Sequence, residues 1–153
     1  MSLADIREQI KTILAGVPGI GVVHDYERWA VDETAMLKRF QDADGRINAC
    51  EFARKRREER FVNGQEVIHI FTVRRIMGLK DSEATGIIFD DHLDLLAAAF
   101  QANDNLNGAC MTTAPDWGEM SGFSGLQIDV IEPRMFGNVL CHVAECRLAA
   151  VEA

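Results

Sequence analysis

The sequence predicts one α+β domain, a mostly antiparallel sheet of four or five strands with helices packed on one face. Three observations predict it. The patterns along the chain run helix, strand, helix, two strands, long helix, two strands. Strand pairs that close through short turns favour antiparallel pairing. No linker, repeat or low-complexity tract divides the 153 residues, so a single domain is expected over residues 1–153.

The first part of the chain predicts two helices around a short strand. Apolar residues recur at helical spacing after Ser2, a good helix cap, and the pattern ends at Gly16. Residues 20–26 include two adjacent valines and predict a strand. Asp32 or Thr34 is expected to cap a short second helix.

A long hairpin is predicted next. Residues 47–57 alternate weakly, and residues 62–64 (Val-Asn-Gly) form a hairpin-type turn. Residues 67–77 place mostly apolar side chains on both faces of a strand. A strand that is apolar on both faces belongs at the centre of a sheet.

The last part predicts a long helix, a loop and two strands. Asp81 or Ser82 is expected to cap the helix. Its apolar stripe is predicted to be Ile88, Leu95, Leu96, Ala99 and Phe100. Residues 108–124 lack periodicity and are interpreted as a loop. Residues 126–131 and 139–149 predict strands, with Pro133 in the link between them.

Composition excludes several classes of protein. The chain has 24 acids against 16 bases, a formal charge of −8, so a general affinity for nucleic acid is not expected. No apolar run reaches the 18 residues of a membrane span, and the N-terminal segment does not resemble a signal peptide. Four cysteines without a C-x-x-C pair predict neither a disulfide scaffold nor a zinc site. We therefore expect a cytoplasmic protein without metal or cofactor.

The charge is unevenly distributed. Residues 46–75 hold eight bases and four acids, a net +4, while the remainder holds eight bases and twenty acids, a net −12. One interpretation is a solvated hairpin with a basic tip. The other is a patch that meets an acidic surface, such as that of another copy of the chain. The candidate interaction residues in this stretch are Arg54, Arg56, Arg57 and Arg60.

Two apolar segments are further candidates for an interface. The loop of residues 108–124 contains Trp117, Met120 and Phe123, residue types enriched at interface centres. Alternatively, the loop folds back and covers the sheet. Trp29 ends an aromatic and charged link after the first strand, and either contacts a partner or pins that link to the core.

Catalytic signatures are lacking in the sequence. The glycines of residues 16–21 follow a helix rather than a strand, which is the wrong context for a phosphate-binding loop. No G-x-S-x-G motif is present. The protein is therefore expected not to be an enzyme. One alternative is a small-molecule enzyme that uses His142 or Cys146, and a weaker one is a nucleic-acid-binding accessory protein.

Four segments carry a resemblance to a known family. In chain order they are VPGIGVVHDYERW at 17–29, DGRINACEFAR at 44–54, EVIHIFTVRRIMGL at 66–79 and VIEPRMFGNVLCHVAECRL at 130–148. In their order and in their residues, these segments resemble the tail-terminator or tail-completion proteins, which are minor tail proteins of phages and prophages.

The resemblance implies a structural role without catalysis. Proteins of that family form a six-membered ring that stops tail-tube growth at the head-proximal end and offers a surface to the head. It implies as partners other copies of the chain, the tail tube protein and the head–tail connector protein, with no membrane and no specific nucleic acid. The location would be the cytoplasm during assembly and the virion tail afterwards.

Overall fold

The computed structural model describes residues 1–28, 33–136 and 138–153. The three α-helices are α1 (Leu3–Ala15), α2 (Glu33–Phe40) and α3 (Thr85–Gln101). The five strands are β1 (Val22–His24), β2 (Asn48–Phe61), β3 (Gln65–Gly78), β4 (Gln127–Phe136) and β5 (Val139–Glu152). Short 3-10 turns precede and follow α3, at Asp81–Glu83 and Leu106–Gly108.

The strands form one sheet in the order β1-β2-β3-β5-β4. The β1–β2 pair is parallel and the other three pairs are antiparallel. This confirms the α+β class and the mostly antiparallel sheet. The central position expected for β3 is also confirmed, because β2 and β5 flank it over most of its length.

One face of the sheet carries the main core. Helices α1 and α3 pack on it, and Phe52 meets Phe71 edge to face at its centre, with ring centroids 6.1 Å apart. Side chains that alternate along β5, including Ala144, Cys146 and Leu148, complete this face. The apolar stripe of α1 predicts this packing.

The opposite face is covered at both ends. Phe40 of α2 packs on Ala49, Ile76 and Val143 at one end. Met120 of the 108–124 loop packs on Ile68, Ile70 and Ala149 at the other end. Helix α2 therefore lies on the face opposite to α1 and α3, and the expectation that the helices pack on one face does not hold for it. The reason is that β3 and β5 are apolar on both faces, and both faces need cover.

The start and the buried stripe of α3 differ from the prediction. Asp81 and Ser82 lie in the 3-10 turn, and α3 begins only at Thr85, whose hydroxyl accepts from the backbone N–H of Lys80. Ile88 and Leu95 are each 50 % exposed. The buried stripe contains Leu96 and Phe100, as predicted, together with Phe89, His92 and Leu93. The prediction differs at the N-terminal end of the stripe because a histidine occupies a core position there, and an apolar pattern does not include it.

Strand ends also differ from the prediction. Strand β2 continues to Phe61, so the charged residues at 54–60 lie within a strand. Pro133 lies inside β4 rather than in the link after it. Proline is tolerated there because β4 is an edge strand, whose outward N–H groups need no ladder partner.

Candidate interaction surfaces

A cleft of about 600 Å³ opens at the end of the sheet where β2 and β5 begin and β3 ends. Its apolar lining consists of Leu37, Ile47, Met77, Leu79, Ile88 and Val139. Its charged lining consists of Asp42, Asp44, Arg46, Lys80 and Glu83. An apolar interior with a polar rim is the usual form of a binding cleft.

The turn between α2 and β2 shapes one wall of this cleft. Oδ1 of Asp42 accepts the backbone N–H groups of Asp44 (2.9 Å) and Arg46 (3.1 Å). Burial raises the pKa of Asp42, but these hydrogen bonds and one from Asn48 outweigh it and lower the pKa below its usual value. The Asp42 carboxylate therefore remains ionised and fixes the turn.

A fully buried arginine, Arg75, lies next to the cleft. Its guanidinium donates to His92 Nδ1 (3.2 Å) and to four oxygens, those of Ala49 (3.0 Å), Ile76 (2.7 Å), Gly19 (3.4 Å) and the Asn48 side chain. Burial lowers the pKa of Arg75 to about 10, so the side chain stays charged at neutral pH. It links β2, β3, α3 and the segment after α1.

His92 is held in one tautomer by this arrangement. Because Nδ1 accepts from Arg75, the ring proton lies on Nε2, which donates to the carbonyl of Pro18 at 2.9 Å. Burial and the neighbouring Arg75 charge lower the pKa of His92. A neutral ring is therefore the form that fits this position.

An acidic surface with exposed apolar side chains adjoins the cleft. Residues 81–133 contain ten acids and no lysine or arginine. On α3, Asp90, Asp91 and Asp94 are exposed beside Ile87 and Ile88. Within the described ranges, no lysine or arginine forms an ion pair with these three aspartates.

The candidate arginines lie on the outer half of β2 and are paired within the chain. The partners are Glu119 and Glu58 for Arg56 (3.3 and 3.7 Å), Glu59 for Arg57 (2.7 Å), and Glu66 and Asp116 for Arg60 (2.8 and 3.2 Å). Arg54 approaches His69 Nδ1 at 3.3 Å. This pairing agrees with the interpretation of a solvated hairpin. Exposed ion pairs are weak, however, so these arginines can exchange partners at little cost.

The turn of this hairpin was predicted, but the exposed apolar side chains at its tip were not singled out from the sequence. Phe61 is 81 % exposed and Val62 is 58 % exposed, directly before the turn at Asn63 and Gly64. Two apolar residues before an Asn-Gly turn are a signal that could have identified them. Together with Arg54, Arg56 and Arg57 they form what we call the arm.

The loop of residues 108–124 mostly folds back on the sheet. Met120 is fully buried, and Trp117 packs against the same cluster, with the Arg60 guanidinium 4.8 Å from the centre of its ring. Phe123 remains 45 % exposed. Met120 and Trp117 therefore cover the sheet, which is the second of the two interpretations of this loop. Trp29 lies outside the described residues.

The outer edges of the sheet are unsuited to strand pairing between copies. Within the described ranges, no strand pairs with the outer edge of β2 beyond Glu51. Register shifts interrupt β2 between Arg54 and Arg56 and β4 between Ile128 and Val130. Bulges, charges and an edge proline are the usual devices that prevent edge-to-edge association.

The residues named for the enzyme alternative, Cys146 and His142, both pack against the core. Cys146 lies in the core, and burial raises the pKa of its thiol to about 12. His142 Nε2 is 2.9 Å from the Thr85 hydroxyl, and its ring stacks on Phe89. Among the residues that the structure describes, no three histidines, cysteines or carboxylates cluster as metal ligands.

No protein-family model matches this chain, and no curated protein sequence matches it significantly. No helix in the described part of the chain is both long and apolar enough to cross a bilayer.

Proposed function

We propose that this chain is a structural subunit of phage or prophage tail assembly, a tail terminator or completion factor that acts as a ring at the head-proximal end of the tail. Self-assembly is supported by one observation above all. The arginine-rich arm with its apolar tip lies at one end of β2, and the cleft, with apolar walls and a rim of three acids and two bases, lies at the other end. The tail role rests on the resemblance of the four segments quoted above.

The separation of these surfaces allows a head-to-tail contact, and the resemblance favours closure of that contact into a ring over a reciprocal two-fold dimer. In a head-to-tail contact each copy offers one surface to one neighbour and a different surface to the other. Such contacts close into a ring when the rotation between copies completes a turn. Complementary charge would guide the copies into register.

The proposed partners follow from this role. They are the tail tube protein, on which the ring would sit, and the head–tail connector protein above it. No specific nucleic acid is proposed, because the net charge is −8. Acidic surface facing a central channel would repel phosphates and let DNA pass.

The tail role can be tested with tail tubes assembled from phage tail tube proteins, beginning with any that is encoded in the same gene cluster as this chain. We expect electron micrographs to show added density at one end of each tube, and tubes that stop growing after addition of the protein. An unrelated protein of similar net charge is the control. Unchanged tube lengths and bare tube ends would contradict the tail assignment.

A further inference from the structure

In the single chain, the arm leaves apolar side chains exposed and the cleft leaves apolar walls uncovered. Phe61, at 81 %, has the largest exposed fraction among the large hydrophobic side chains described. The cleft holds apolar walls around about 600 Å³ of open space. This volume lies within the range of clefts that enclose small ligands. The cleft therefore has room for one aromatic and one valine side chain at the same time.

The tip and the cleft of one chain cannot meet. Asn48, at the start of β2, lines the cleft, and Phe61 ends the same strand. A strand of 14 residues spans about 45 Å at roughly 3.3 Å per residue. An occupant from this sequence must therefore come from a second copy.

Charge complementarity favours a second copy. The arm exposes Arg54, Arg56 and Arg57, which precede the apolar tip by four to seven residues on the same strand. The turns around the cleft carry Asp44 and Asp81, which make no ion pair with a lysine or arginine in the described part of the chain. Arg46 and Lys80 on the same rim are each paired with Glu83, which leaves these two aspartates, among the residues described, as its unpaired charges.

We propose that Phe61 and Val62 at the tip of one copy insert into the cleft of the next, with the arginines of the arm facing its acidic surroundings. This inference rests on the self-assembly part of the proposed function and names the contact that would produce it. The alternative, a continuous sheet formed through β2 and β4, is opposed by their bulges and by Pro133.

Two substitutions test the contact from its two sides. Phe61→Glu removes the apolar tip, and Ile88→Glu places a charge on the cleft wall. Both side chains are at least half exposed, so the isolated fold is expected to tolerate both changes. Ile131→Glu, at a 54 % exposed position on β4, is the matched control.

Each variant alone is expected to be monomeric, whereas the control assembles like the unchanged protein. A mixture of the two is expected to form dimers and nothing larger, because Phe61 of one variant can enter the intact cleft of the other. The measurement is light scattering after size-exclusion chromatography. The milder Phe61→Ala change is expected to weaken association roughly tenfold to hundredfold, the loss expected for one buried aromatic side chain.

The outcomes separate this contact from the proposed function. If the unchanged protein assembles and both glutamate variants still assemble, the tip-in-cleft contact is wrong and self-assembly stands. A mixture that remains monomeric also overturns the contact. If the unchanged protein is monomeric at every concentration, both the contact and the self-assembly proposal fail.

Discussion

Replacing Arg75 with methionine is expected to lower the free energy of unfolding by about 3–5 kcal/mol. Arg75 is fully buried, and its guanidinium satisfies five acceptors from four parts of the chain. Methionine fills a similar volume but donates no hydrogen bond. Each buried acceptor left without a donor costs about 1–3 kcal/mol, which outweighs the relief of removing a buried charge.

Urea unfolding followed by circular dichroism, at one protein concentration, measures this loss. Arg7→Met is the matched control, because Arg7 is exposed on α1, outside the arm and the cleft, and its loss should hardly move the unfolding midpoint. Arg75→Lys should recover only part of the stability, since an ammonium group cannot reach all five acceptors. A midpoint for Arg75→Met equal to that of the control would refute the structural role assigned to Arg75.

Phe71→Ala is expected to lower the free energy of unfolding by about 3–5 kcal/mol. Phe71 is fully buried at the centre of β3, against Phe52 and beneath α1 and α3. Removing the ring leaves a cavity that rigid strands on both sides cannot close. The loss is a large part of the about 5–15 kcal/mol that stabilises a typical domain.

The same substitution at Phe61 is the control for this prediction. Phe61 lies on the strand next to Phe71 but is 81 % exposed, so in the Ile88→Glu background, which is expected to be monomeric, Phe61→Ala should change the stability little. The same denaturation experiment measures both. Equal losses at the two positions would mean that the core is not centred on Phe71.

The fold could be predicted because its signals are local. A run that is apolar on both faces indicates β3, alternating apolar residues indicate β5, and the apolar stripe of α1 indicates a helix that packs on a sheet. The start of α3 could not be predicted in the same way. Asp81 and Ser82 are good capping residues, yet Ala84 takes a left-handed conformation (φ 52°) and the hydroxyl of Thr85 bonds to Lys80. Long-range packing of α3 decides between these starts.

The cleft and the buried Arg75 beside it could not be predicted from the sequence in this way. Arg74 and Arg75 are adjacent in an alternating strand, so they face opposite sides of the sheet. The sequence does not show that Arg74 pairs with Glu51 while Arg75 is buried beside His92. The cleft is formed by parts of α2, β2, β3, α3 and β5, which come together only in the folded chain.

The charge asymmetry was visible in the sequence, but its meaning changed in three dimensions. The basic stretch at 46–75 includes the buried Arg75 and several arginines paired within the chain. The acidic remainder includes Asp90, Asp91 and Asp94 on one exposed face of α3. Spatial separation of these surfaces, rather than the net +4 and −12, is what supports contact between copies.

The most direct test of self-assembly is the mass of the intact protein, measured by mass spectrometry under non-denaturing conditions. The account predicts one closed species of several copies, six if the resemblance extends to ring size, with few open intermediates. Raising the ionic strength of the solution before the measurement should shift the distribution of species toward monomer, because salt screens the attraction between arm and cleft. A monomer at every concentration and ionic strength would contradict the account, as would an open-ended series of masses.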